Sequence, residues 1–328
     1  MNKKVYYSLD YFKLLCAILI AFLHSFCRDF SIGFWVIRLF SVLGVPFFFI
    51  VSGFFLTKGL MTHENTTEYF KKYFKRLLIL YLSWTVITLP IEWMLINLSH
   101  GDFSLLVKIV YLFRVIFISG SLGIYWYLVS LLYGCVIVYV FVKKKWNPKF
   151  LYSFSILFLV FGIIYDSHQF DDFILFRLVH IIVGSERNVL MVGIFYIAVG
   201  YYFAQHERKL HFRLGFLLSC FLFFMVLRIL EFTYTPLNSM QVPLSVLLFA
   251  IALSVDMSKY KKHSVMARKL STAIYLEQFP FILLFDLYLK RGTLIDFPAM
   301  LAFCLLVFYL ARKFLPDRIY SWFYGGAK

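Results

Sequence analysis

Apolar runs of membrane length recur along this chain, and no other feature constrains its fold as strongly. About 30 Å of hydrocarbon takes roughly 20 residues of helix to cross. Ten runs approach or meet that length, near residues 8–27, 34–57, 76–98, 121–142, 150–166, 187–204, 211–231, 241–256, 271–289 and 294–312. A helix satisfies its own backbone polar groups where no water can do so. The pattern therefore predicts an all-α polytopic membrane protein with about ten transmembrane helices. Residues 103–118 form a shorter apolar piece that carries Lys108 and Arg114. They predict a helix lying at the membrane interface.

The loops test that count. Lys and Arg at the N-terminus, in the successive loops and at the C-terminus, span edges included, number 2, 1, 5, 2, 4, 2, 3, 0, 5, 2 and 4. High and low values alternate strictly, so one side collects 23 cations and the other 7. Basic loops stay in the cytoplasm, which predicts both termini there. The net charge of +16 is thereby topological and does not call for a nucleic-acid partner. Length alone would suggest two soluble domains. With 62% hydrophobic and only 15% charged residues, against about 25% charged in soluble domains, the chain instead predicts a single transmembrane domain over 1–328. The N-terminal Lys3-Lys4 and apolar run imitate a signal peptide. "HSFCRDF" offers no small-residue cleavage site after it, so an uncleaved first span is expected.

Charges at bilayer depth cost about 2.5–3.5 kcal/mol each by insertion scales, so those in the runs are candidate functional residues. The first run, "LDYFKLLCAILIAFLHS", carries Asp10, Lys13 and His24. Eleven residues make about three turns, which puts Lys13 and His24 on one line, with Asp10 one turn earlier on the same side. Asp10 and Lys13 can pair at this spacing. His24, about 16 Å further along the axis, is suited to proton transfer near neutral pH. In the second run, Ser52 and Gly53 interrupt an aromatic stretch, a pattern suited to close helix packing. Lys75 and Arg76 belong to a basic entry to the third run, able to clamp phosphate. Arg228 and Glu231 stand one turn apart and are expected to pair; Glu92 is a further acid within a run. Arg187 and Asn188 open the sixth run, and "YWYL" opens the fourth. There is no Gly-rich phosphate loop, no HExxH, no GxSxG and no closely spaced cysteine pair. Hydrolase, ATP-driven and metal chemistry are therefore unsupported.

These motifs together resemble the membrane-bound acyltransferase 3 family of O-acyltransferases. The family's first span carries an Asp, an Arg three residues later and a distal His, here Asp10, Lys13 and His24. Its second-span "FF…SG" is matched by Phe47 to Phe49, Ser52 and Gly53. "KRLLILY", "YWYL" and Arg187, Asn188 and Gly193 are similar to later landmarks, and "STAIYLEQFP" resembles the family's "YLxH". Two positions depart from that pattern. Lys13 keeps the arginine's charge without its bidentate fork, and Gln278 stands where the late histidine would be and cannot titrate.

The resemblance implies a multi-pass protein of a bacterial inner or plasma membrane. It implies acyl-CoA, in particular acetyl-CoA, as cytoplasmic donor, with no metal, and Lys13, Lys75 and Arg76 as contacts for its phosphates. His24 would be the general base, supported by Asp10. Ser52, Arg187, Asn188, Arg228, Glu231 and Gln278 would be substrate-binding or structural residues. The acceptor would be a glycan or a lipid-linked sugar. The membrane domain of the vancomycin-resistance serine racemases, involved in L-serine uptake, is similar too, and this chain carries nothing like their racemase part.

Overall fold

The computed structural model describes residues 5–25, 38–99, 103–170, 172–174, 176–177, 179, 188–207, 209–210, 213–234, 238–288 and 296–325. The described residues form helices and no strand. In chain order the α-helices are α1 Tyr7–Ser25, α2 Gly44–Thr62, α3 Thr66–Ser99, α4 Leu105–Arg114, α5 Trp126–Lys144, α6 Pro148–Asp166, α7 Ile194–His206, α8 Leu214–Tyr234, α9 Gln241–Ser254, α10 Lys261–Tyr288, α11 Asp296–Phe314 and α12 Asp317–Tyr324. Among the described residues, nine helical stretches are long and apolar enough to cross a membrane. They become ten if the pair Gln241–Ser254 and Ser258–Leu283, bent by 76°, counts as one crossing. The protein is thus an all-α, multi-pass membrane protein.

The backbone forms two compact units. The first holds the described residues of Met1–Val51 and Glu207–Tyr320; the second holds those of Ser52–His206 and Ser321–Gly325.

In the first unit α10 lies along α1. The Tyr11 hydroxyl donates to the Tyr260 carbonyl at 2.7 Å near the start of both helices. Near the other end of α1, the His24 ring stands 6.2 Å from that of Phe279. The two helices therefore run parallel. α2 runs against α1: Gly44 packs onto Ile20, and the Phe47 ring lies 6.2 Å from that of Phe12. α9 follows the same direction as α2, with Leu244 in a core cluster with Leu43 and Met225 and Phe249 6.1 Å from Phe47. The bend of 76° between α9 and α10 falls between the two apolar runs that the sequence predicts as separate spans. The C-terminal end of α1 meets the start of α11, where Phe22 and Phe297 pack edge to face at 4.8 Å.

The second unit contains residues 103–118, which the sequence predicts as an interfacial helix. Leu105–Gly123 is an apolar helical stretch of 19 residues that packs along α3. Lys108 Nζ donates to Asn97 Oδ1 at 2.8 Å, and Tyr81 donates to the Ile116 carbonyl. A π-turn over Val115–Ser119 follows α4, and then the helix breaks. Gly120, Leu122 and Gly123 have φ of 72°, 57° and 65°, the left-handed region that disfavours side chains. A Cβ on Gly120 would lie 2.2 Å from the Trp126 nitrogen, so only glycine fits this turn. α5 resumes with Tyr125 6.3 Å from Trp84 and continues until Tyr139 stacks on Phe70 at 4.0 Å. The partners on α3 thus step back at the break, from Tyr81 beside Ile116 to Thr88 beside Ser121, before α5 runs on towards residue 70. Leu105–Gly123 and Trp126–Lys144 are each long and apolar enough to cross a membrane.

Glu92 of α3 holds the break. Its Oε2 accepts from Leu122 N at 2.6 Å and from Ser121 Oγ at 3.2 Å. Backbone freed by a broken helix at membrane depth needs partners of this kind.

Candidate functional site

The stripe on α1 exists as helical spacing requires, and α10 completes it. Asp10 is buried, Lys13 and His24 are half-buried, and Arg268 of α10 lies within electrostatic reach of both Asp10 and Lys13. Asp10 and Lys13 are one turn apart, with their charges coupled. His24 sits in the last turn of α1, its ring edge-on to Phe279 at 81°. Charge gathers near one end of the helix pair and a titratable imidazole stands near the other.

Gln278, beside Phe279, is completely buried. Its Nε2 donates to the Tyr275 carbonyl at 3.0 Å, while Oε1 accepts from no described residue. The Tyr275 ring lies 5.8 Å from that of Phe48, so the "YLEQFP" segment and the aromatic run of α2 share one core. Glu277 is also buried, at 2% exposure. The sequence reading passed over it, although an acid in an apolar run was a visible signal. It passed over Arg268 as well, because its charge had already been assigned to topology.

The remaining candidates fall into other places. Arg228 and Glu231 pair at 2.8 Å. Arg228 Nη2 also donates to Asn238 Oδ1 at 3.0 Å. Glu231 Oε1 accepts from Ser239 N at 2.6 Å and from Ser239 Oγ, and both its oxygens accept from Met240 N. This network ties the end of α8 to the start of α9.

In the second unit Ser52 Oγ lies 3.1 Å from the Tyr127 hydroxyl, joining the "SG" and "YWYL" motifs. A Cβ on Gly53 would lie 2.3 Å from the Ile197 carbonyl oxygen, so Gly53 permits helix contact. Asn188 is a cap: its Oδ1 accepts from Leu190 N at 2.9 Å and Met191 N at 3.0 Å. Arg187 lies outside the described residues. Lys75 and Arg76 are exposed on α3, with the Arg76 guanidinium 5.9 Å over the Tyr73 ring. They belong to the second unit, whereas Lys13 belongs to the first. Among the described residues, no group of three or more His, Cys, Asp or Glu could hold a metal ion.

A bundle that keeps a buried carboxylate, two cations and an imidazole along one pair of apolar helices is the framework of a polytopic membrane protein. The acyltransferase domain model matches residues 6–313, and the chain belongs to that acyltransferase family. Two curated relatives, both from Enterococcus faecalis, are named amino-acid racemase. One is 26% identical over 257 residues, covering 74% of this chain and 35% of the racemase. The other is 25% identical over 166 residues, covering 49% of this chain and 23% of the racemase. The chain thus spans about a third or less of those relatives. No solved structure matches it.

Proposed function

We propose that the protein is an integral membrane O-acyltransferase of a bacterial inner or plasma membrane, with both termini in the cytoplasm. It moves an acyl group, acetyl in the first instance, from cytoplasmic acyl-CoA to a hydroxyl of a cell-envelope glycan or lipid-linked sugar. One observation carries this reading: the α1–α10 pair holds Asp10, Lys13 and Arg268 near one end and His24 in the last turn at the other. Lys13 and Arg268 meet the anionic half of the donor, and its acyl end extends inward. Asp10 keeps the Lys13 ammonium in place.

His24 accepts the proton of the acceptor hydroxyl as that oxygen attacks the thioester carbonyl carbon. When the tetrahedral intermediate collapses, the C–S bond breaks, the ester remains on the acceptor, and the thiolate leaves and takes up a proton. A glutamine in place of a second histidine leaves His24 as the titrating group of this step, while Gln278 bonds within α10. Reconstituted protein given labelled acetyl-CoA and envelope polysaccharide tests this. His24→Ala abolishes transfer with membrane insertion and yield unchanged; full activity in that variant would sink the mechanism. Mass spectrometry of envelope polysaccharides with and without the gene identifies the acceptor.

The similarity to proteins named amino-acid racemase supports a second reading, a racemase-type membrane domain for L-serine uptake. Counterflow of labelled serine into proteoliposomes, with no acetyl transfer, would establish it in place of the first.

A further inference from the structure

Two lysines in the turn between α5 and α6 stand where the local backbone disfavours them. Lys145 ends α5 in the left-handed region, with φ of 53° and ψ of 34°. Its N–H donates to the Val142 carbonyl at 3.2 Å, and the Trp146 N–H donates to the Phe141 carbonyl at 3.1 Å. Glycine is the usual residue at this point of a helix end, because a side chain there crowds the backbone. Lys149 lies in the first turn of α6, after the Asn147 cap and Pro148. Its charge stands at the positive end of the helix dipole, where acids are favoured. Topology explains cations in this turn but not at these two positions, since the same charges elsewhere in it would orient the spans equally well.

A second basic segment joins the turn. Tyr139 of α5 stacks on Phe70 of α3 at 4.0 Å and donates to Thr67 Oγ1 at 3.0 Å. The Lys143 ammonium lies 5.5 Å over the Tyr139 ring, and Lys71 of α3 is within electrostatic reach of the same tyrosine. Lys71, Lys143, Lys144, Lys145 and Lys149 are all exposed. Of the acids at the start of α3, Glu68 is already paired with Lys72 at 2.7 Å, which leaves Glu64. Trp146 packs edge-on to Phe141 at 5.2 Å and is 52% exposed. The fold thus brings five ammonium groups and one exposed indole to the shared end of α3, α5 and α6.

The ligand that this chemistry recognises is anionic and lies at a membrane edge. Indoles settle at the level of lipid headgroups, and lysines next to a membrane helix are attracted to an anionic leaflet. Each ammonium is a point charge without the arginine fork that grips one phosphate in two places. That suits a layer of phosphodiesters better than a single bound polyphosphate.

We propose that Lys71, Lys143, Lys144, Lys145 and Lys149, with Trp146, form a binding site for the headgroups of anionic phospholipid. Bound lipid offsets the local disadvantage of Lys145 and Lys149 and fixes the α5–α6 turn at the membrane surface. The site is independent of the acyltransferase reading and stands whether or not the chain transfers an acyl group.

The full chain is placed in nanodiscs of phosphatidylcholine with a minor fraction of brominated phosphatidylglycerol, and quenching of tryptophan fluorescence reports lipid contact. Brominated phosphatidylcholine gives the reference. The wild type is quenched preferentially by phosphatidylglycerol, and the preference falls as salt rises. Trp146→Phe removes the preferential part, which assigns it to this end of the molecule. A lysine near a charged surface contributes roughly fivefold in binding, so Lys143→Gln/Lys145→Gln/Lys149→Gln lowers the preference by about tenfold or more. If that variant fails to fold, Lys145→Gly decides. It raises the melting temperature in phosphatidylcholine discs, because the left-handed turn is relieved, while the preference for phosphatidylglycerol falls.

Equal quenching by the two lipids in the wild type overturns the proposal. So does a preference that persists in Trp146→Phe or in the triple variant, or a Lys145→Gly protein that melts lower and keeps its preference. Coenzyme A that binds in phosphatidylcholine discs through the same lysines, and abolishes the preference, would also overturn it and assign the cluster to a soluble polyphosphate.

Discussion

The network joining α8 to α9 makes an asymmetric prediction. Arg228 bonds to Glu231 and Asn238, and its buried Nε has no partner among the described residues. Glu231 serves Arg228, both the nitrogen and hydroxyl of Ser239, and the nitrogen of Met240. Arg228→Met removes two charge-assisted bonds but also an orphaned N–H, and Glu231 keeps three donors. The cost is about 2–3 kcal/mol. Glu231→Leu strands a guanidinium whose side chain is only 5% exposed, itself a loss of about 3–5 kcal/mol. It also unpairs the Ser239 and Met240 nitrogens, each worth about 1–3 kcal/mol if it stays dry. Because the adjoining turn can admit some water, the total is about 4–6 kcal/mol. Unfolding of purified protein in mixed detergent micelles, followed by circular dichroism, measures both variants and their double mutant. Glu231→Leu should be the more damaging by roughly 2 kcal/mol, and the double should cost less than the sum of the singles. Equal costs, or a costlier Arg228→Met, would refute the view that Glu231 is the hub and Arg228 only its largest partner.

Two further outcomes follow from close contacts elsewhere. Gly53→Ala places a methyl 2.3 Å from a backbone oxygen of Ile197, so α2 and α7 must part. A loss of about 1–3 kcal/mol, read as a lowered melting temperature by intrinsic fluorescence, is expected, and a neutral effect would show that the helices separate freely. Tyr6 precedes the first span. Burial, together with its 2.7 Å hydrogen bond to Glu207 Oε2, raises its phenol above the ordinary tyrosine range. The fold thus favours the neutral phenol. That stabilisation is complete below about pH 10, where an unfolded tyrosine ionises, and is lost as pH rises towards the folded value. Tyr6→Phe removes one late-ionising phenol from the alkaline absorbance titration at 295 nm; an unchanged titration would refute the assignment.

The helices were legible in sequence because bilayer thickness fixes a run length, which hydropathy reports directly. The break after residues 105–119 was not legible, because the contacts that fix it come from Tyr81, Thr88 and Glu92 on another helix. Within the site, Asp10, Lys13 and His24 share a face by helix geometry alone. Arg268 lies some 250 positions away in the chain, and only the packing of α10 on α1 brings it to them. Lys75 and Arg76 show the converse: a basic run marks a membrane edge equally well whether or not it holds a ligand, and the two side chains are exposed on the other unit.

The break between α4 and α5 has a consequence for biogenesis. Lys108 has Asn97 beside it, and the Leu122 N–H has its acceptor in Glu92. Both partners lie on the helix synthesised just before. α3 must therefore be in place, as an intramembrane template, before residues 105–125 can leave water. Removing the Glu92 carboxylate would then act first at insertion, as a chain halted with residues 105–125 outside the membrane, and only secondarily on the finished protein.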